Sequence, residues 1–109
     1  MTRWVRVAEV GDVPDGRGRA FSVGGLRIAL FRDGQTWHAI DEACPHQGTS
    51  LAPAVLHDGR VICPLHAWVF DVRTGQCPRG THEGVTVYPT RCEDGWVEVH
   101  APSKGGRSE

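Results

Sequence analysis

Two short stretches of the chain carry thiols and imidazoles close together. Residues 43–48 read ACPHQG, with Cys44 two residues before His46. Residues 62–71 read ICPLHAWVFD, with Cys63 three residues before His66. The full pattern is Cys-x-His, sixteen residues, then Cys-x2-His. Two thiolates and two imidazoles suit tetrahedral zinc or iron with sulfide. The order departs from that of a zinc finger, which pairs Cys with Cys and His with His. Here each stretch contributes one of each. A binuclear iron–sulfur centre accounts for the mixture better, with one iron taking the two Cys and the other the two His. Pro45 and Pro64 each remove a backbone N–H and stiffen the turn. Gly48 lets the backbone come close, so that neighbouring N–H groups can point at the sulfurs and tune the potential. A structural zinc module without redox work stays open as a reading of another class.

Such a site needs a scaffold that brings the two stretches together, and the surrounding pattern is β. WVRVAEV (4–10) has Val5 and Val7 at a two-residue period. LRIALFR (26–32) is a mostly apolar run, followed by Asp33-Gly34 and then TWHAI (36–40) as its hairpin partner. RVIC (60–63), AWVFDV (67–72), VTVYPT (85–90) and WVEVH (96–100) follow, separated by Asp58-Gly59, Thr74-Gly75 and Asp94-Gly95. Short strands with regular turn signals predict an all-β fold, a small antiparallel sandwich or barrel. SLAPAVL (50–56) is the one helical candidate, and Pro53 limits it. Both Cys/His pairs fall at strand ends, where two loops can converge at one tip of the body.

Composition narrows the function. The 109 residues make one domain, and a net charge of −1 argues against a nucleic-acid backbone as partner. The sequence has no run approaching the ~20 apolar residues that span a bilayer. The first twelve residues lack an apolar signal core, which predicts a cytoplasmic protein with reduced cysteines. GDVPDGRG lacks the strand–GxGxxG–helix context of a dinucleotide site.

CPH together with CPLHAWVFD and the following TG resembles the two cluster-binding loops of the Rieske family. The resemblance runs in outline from Trp4 to His100. It implies a Rieske-like β-fold over residues 1–100, a cluster-binding subdomain of two loops at about 43–50 and 62–71, and a disordered tail at 101–109. It also implies a [2Fe-2S] cluster, with Cys44 and Cys63 on one iron and His46 and His66 on the other. GGLRIALFRDG, AIDEACPHQG, CPLHAWVFDVRTG and VTVYPTRCEDG look most like the small subunit of cytoplasmic NAD(P)H-dependent nitrite reductase. The stand-alone ferredoxins of aromatic-ring dioxygenases are close behind. Either way the chain is an electron-transfer component, not catalytic alone. Its partners are a flavin-containing reductase or large catalytic subunit and a terminal oxidoreductase.

Departures from the family carry expectations too. Many relatives have Gly where this chain has Ala67. The high-potential branch has an extra, disulfide-bonded Cys in each loop, where this chain has Thr49 and Leu65. That branch also has Ser and Tyr hydroxyl donors to the cluster, where Trp68 and Phe70 stand here. Fewer donors imply a potential near the low end of the Rieske range, about −150 mV.

The remaining candidates read as ordinary residues. Cys77 and Cys92 have no His at matching spacing and read as buried or half-buried thiols. His38, His57, His82 and His100 read as surface or satisfied residues. Trp4, Trp37 and Trp96 are expected in the sheet core, and Trp68 either walls the metal site or joins the core. Residues 44–56 and 63–70 contain no Asp, Glu, Lys or Arg, which predicts a neutral docking patch at the site.

Overall fold

The computed structural model describes residues 2–45, 48–63, 69–77 and 84–102. Among these lie nine strands: β1 (Thr2–Glu9), β2 (Gly18–Val23), β3 (Leu26–Asp33), β4 (Thr36–Asp41), β5 (Arg60–Ile62), β6 (Val69–Asp71), β7 (Val87–Tyr88), β8 (Thr90–Glu93) and β9 (Trp96–Pro102). A single 3-10 turn, Val10–Asp12, follows β1. All pairings are antiparallel. The strands form an outer sheet β1-β9-β8, a middle sheet β2-β3-β4-β7 and a separate hairpin β5-β6. No helix among the described residues is long and apolar enough to cross a membrane.

The middle sheet is covered on both faces, which explains why LRIALFR reads as a continuous apolar run rather than an alternating one. Successive side chains of a strand point to opposite faces. Ile28 and Leu30 of β3 therefore join Ala8, Trp37, Tyr88, Val97 and Val99 in a core against the outer sheet. Ala29 and Phe31 join Leu51, Val61, Phe70 and Val72 in a second core beneath the β5-β6 hairpin.

The turn signals are realised closely. Asp58-Gly59 and Asp94-Gly95 have positive φ at both residues, the type I′ form that suits a two-residue hairpin. Gly24-Gly25 does the same between β2 and β3. β2 itself was not among the expected strands, although Gly-Gly between Val23 and Leu26 is a hairpin signal of the same kind. Residues 50–56 form turns rather than a helix, as Pro53 forbids a continued ladder. VTVYPT divides at Pro89, where the chain leaves the middle sheet as β7 and enters the outer sheet as β8. β9 extends to Pro102, and residues 103–109 of the expected tail lie outside the described residues.

Two tryptophans are placed differently from expectation. Trp37 is core, but Trp4 and Trp96 are half-buried on the outward face of the outer sheet. The two-residue period puts Val97 and Val99 inward and Trp96, Glu98 and His100 outward. There Trp4 stacks on His100 at 4.9 Å, and Arg91 lies over Trp4 at 4.3 Å. Glu98, 7 % exposed, accepts from Arg91 Nε at 2.6 Å and Arg6 Nε at 3.3 Å. Those guanidiniums, Arg91 foremost, hold its carboxyl below the usual range.

Candidate metal centre

The first loop grows out of β4 and is closed tightly at its root. Ala43 and Ser50 form a bridge, and Leu51 N–H donates to Glu42 O at 2.7 Å. Glu42 N–H donates to Arg27 O on β3 at 3.1 Å. The Glu42 carboxylate accepts from the Ser50 hydroxyl and from Arg27 Nε, the latter at 2.8 Å; Ser50 first and then Arg27 lower its pKa. Inside this root, Cys44 N–H donates to Thr49 O at 2.8 Å and Gly48 N–H donates to Cys44 O at 2.7 Å. The turn needs φ of +74° at Gly48, a conformation that costs a side-chain-bearing residue ~1–2 kcal/mol.

The second loop is the end of the β5-β6 hairpin. Ile62 pairs with Val69, the strand residues on either side of the stretch from Cys63 to residue 68. Behind it, Val72 N–H donates to Gly59 O at 2.9 Å. Asp71 accepts from Arg73 through its backbone N–H at 2.8 Å and its guanidinium at 3.0 Å, and Arg73 depresses the Asp71 pKa.

Of the four predicted ligands, Cys44 and Cys63 are described, and both are 1 % exposed. They belong to one buried cluster with Ala29, Phe31, Ile40, Leu51 and Phe70. Two stretches nineteen positions apart thus place their thiols in a single apolar core. Two thiols gathered in one cluster could supply the sulfur half of a ligand set, since a metal cation stabilises the thiolate form that apolar burial otherwise disfavours. The donor chemistry fits an iron–sulfur group. His46, His66, Trp68 and His82 lie outside the described residues. Phe70 is fully buried and its ring brings no hydroxyl donor.

Other residues fall as follows. Cys77 is buried and Cys92 is exposed, so the second is more open than expected, and no disulfide joins them. His38 is half-buried on β4, where burial lowers its pKa. His57 is exposed beside Asp58, and His100 stacks on Trp4. The charge-free loops expose Val55 (56 %) and Ile62 (53 %), the latter adjacent to Cys63.

Sequence reading missed Asp41 and Tyr88. The Tyr88 hydroxyl donates to Asp41 Oδ1 at 2.7 Å, and Thr86 N–H donates to Asp41 Oδ2 at 3.0 Å. Burial, reinforced by Asp41, pushes the Tyr88 phenol well above its ordinary pKa. No spacing rule links positions 41 and 88, since the contact exists only once β4 and β7 pair.

Comparison with known proteins agrees with this geometry. The chain is 35 % identical to the anthranilate 1,2-dioxygenase ferredoxin subunit of Burkholderia cepacia, over 92 % of this chain and 94 % of that one. It is 32 % identical to the ferredoxin of carbazole 1,9a-dioxygenase from Nocardioides aromaticivorans, covering 88 % and 95 % of the two chains with a TM-score of 0.80. A Mycobacterium tuberculosis chain described as an NADH-dependent nitrite reductase small subunit shares the fold, with 24 % identity, 94 % and 97 % coverage and a TM-score of 0.85. The Rieske [2Fe-2S] domain matches residues 3–89, a span that holds both loops and the sheets that root them. The chain therefore belongs to the Rieske [2Fe-2S] family and is an electron carrier built around that type of cluster.

Proposed function

We propose that the four residues Cys44, His46, Cys63 and His66 hold the cluster and that the chain is the ferredoxin of an oxygenase system. In that role it takes electrons from a flavin-containing NAD(P)H reductase and delivers them to a terminal oxygenase. The observation that carries the ligand assignment is the burial of Cys44 and Cys63 in one apolar cluster at the roots of two loops. The partner class is supported by identity of 35 % and 36 % with two oxygenase-system ferredoxins, over 94 % and 80 % of their lengths. When bound, the cluster supplies a site for one electron. The chain does the rest. Cys44 and Cys63 supply thiolates to one iron, and His46 and His66 supply neutral imidazoles to the other. Phe31, Leu51 and Phe70 keep water from the sulfur side. Ile62, exposed and next to Cys63 in the chain, offers apolar contact for a transient partner.

A second reading rests on the sequence stretches that resemble nitrite reductase small subunits. There the chain would be a bound subunit of a siroheme- and flavin-containing enzyme in nitrite assimilation. Purification from its own cells distinguishes the two. The ferredoxin reading predicts a separate chain that restores NAD(P)H-driven turnover to a reductase–oxygenase pair lacking its ferredoxin. Recovery in a stable siroheme-containing complex, with no such restoration, would overturn it in favour of the second.

A further inference from the structure

The root of the Cys44 loop and the far end of β6 are tied to each other through one short segment, residues 84–88. Asp41 ends β4, three residues before Cys44. It engages this segment three times. Its N–H donates to Thr86 O at 3.1 Å. Its Oδ2 accepts from Thr86 N–H at 3.0 Å, and its Oδ1 from the Tyr88 hydroxyl at 2.7 Å. From the same segment, Val85 N–H donates to Gly75 O at 2.8 Å, and Gly75 N–H donates to Asp71 O at 2.7 Å. Asp71 ends β6, the strand that returns from the Cys63 loop. The contact between the two segments is too close for side chains: a Cβ on Gly75 would collide with Val85 O, and one on Gly84 with Gly75 O.

We infer that Asp41 is a positioning residue for the metal centre. Through Thr86 and Tyr88 its carboxylate fixes the root of the Cys44 loop to the 84–88 segment, which in turn holds the far end of β6, the strand that returns from the Cys63 loop. This inference rests on the ligand assignment proposed above. The carboxylate is half-buried and Thr86 is exposed, so water can replace the lost bond if Asp41 is truncated. Tyr88 is packed among apolar side chains and stays seated without its partner. Truncation should therefore loosen the relation of the two loops while leaving the sheets intact. Groups that orient metal ligands from behind typically change metal retention roughly 10–100-fold when removed.

The test uses holoprotein of the wild type, Tyr88→Phe and Asp41→Ala. Three quantities are read: the rate of iron loss to a ferrous chelator, the midpoint potential, and amide exchange at Thr86 and Leu30. Iron loss should quicken from wild type to Tyr88→Phe to Asp41→Ala, reaching roughly tenfold or more in the last. The potential should shift, and Thr86 should lose protection while Leu30 keeps it. Should Asp41→Ala fail to fold, Tyr88→Phe, which removes one hydroxyl, carries the same expectation at smaller size. A wild type that holds its cluster, with variants that hold theirs equally well or lose it only in step with exchange at Leu30, overturns this inference alone. A wild type that takes up no iron overturns the ligand assignment and this inference with it.

Discussion

Tyr88 is the chain's single tyrosine, so phenol absorbance reports its ionisation without interference. Its raised pKa means that the folded protein keeps the phenol proton above about pH 10, where the unfolded chain gives it up. The stabilisation is fully present below that pH and falls as pH rises past it, because the unfolded state then binds fewer protons. We predict that phenolate appears in the native protein only well above the ordinary tyrosine range. The urea midpoint advantage of wild type over Tyr88→Phe should shrink between about pH 9 and about pH 11. A native phenol titrating near 10 would contradict the burial of Tyr88 and, with it, the Asp41 contact. Glu42 works in the opposite direction. Its depressed pKa gives a stabilisation present above the ordinary carboxylate range and lost as pH falls through the lower folded value. Acid should therefore loosen the root of the first loop, and Glu42→Gln should lessen that acid sensitivity, measured by thermal unfolding across the acid range. The Cys/His spacing was legible in the sequence because metal-ligand spacing is local, and the structure gathers Cys44 and Cys63 into one buried cluster. Asp41, Tyr88 and Glu42 were not: Asp41 and Tyr88 meet only when β4 and β7 pair, and Glu42 meets Ser50 and Arg27 only when the loop closes against β3.

Turn chemistry made most strands legible. Asp-Gly at 58–59 and 94–95 marks hairpins because Asp and Gly accept the positive φ that a type I′ turn demands. β2 was missed because Gly18, Arg19 and Ser22 dilute its apolar content, and its identity as a strand comes from pairing with β3. Gly18 shows what that pairing requires: a Cβ there would run into the ring of Phe31, which is fully buried. Gly18→Ala should cost ~1–3 kcal/mol, as overpacked cores do. Gly11→Ala, where a Cβ meets nothing within 4 Å, should stay within about 0.5 kcal/mol of wild type. Urea unfolding of the two variants checks this, and equal effects would contradict the packing of Phe31 across β2. Trp4 and Trp96 teach a related lesson. Aromatic residues were read as core, yet on β1 and β9 the valines hold the inward positions, and the tryptophans turn outward to Arg91 and Arg6.

At the scale of the molecule, one sheet serves two cores. The outer sheet closes the core behind β3, and the hairpin and the 42–56 loop close the core in front of it, where Cys44 and Cys63 are buried. Residues 44–56 carry no charged side chain, and Ile62, next to Cys63 in the chain, is exposed. A partner that docks there gains apolar contact from Ile62, so Ile62→Asp should slow electron delivery to the partner while leaving the potential and unfolding midpoint near wild type. With Phe70 bringing no hydroxyl donor, the midpoint should lie near the low end of the family's range, about −150 mV. A positive midpoint would contradict that reading. The most direct test of the whole account is the paramagnetic resonance spectrum of the anaerobically purified, reduced protein. The account predicts a Rieske-type signal that is lost in His46→Ala and His66→Ala and retained in His57→Ala. A colourless protein carrying zinc and no sulfide, or a Rieske signal that survives loss of either His46 or His66, would contradict it.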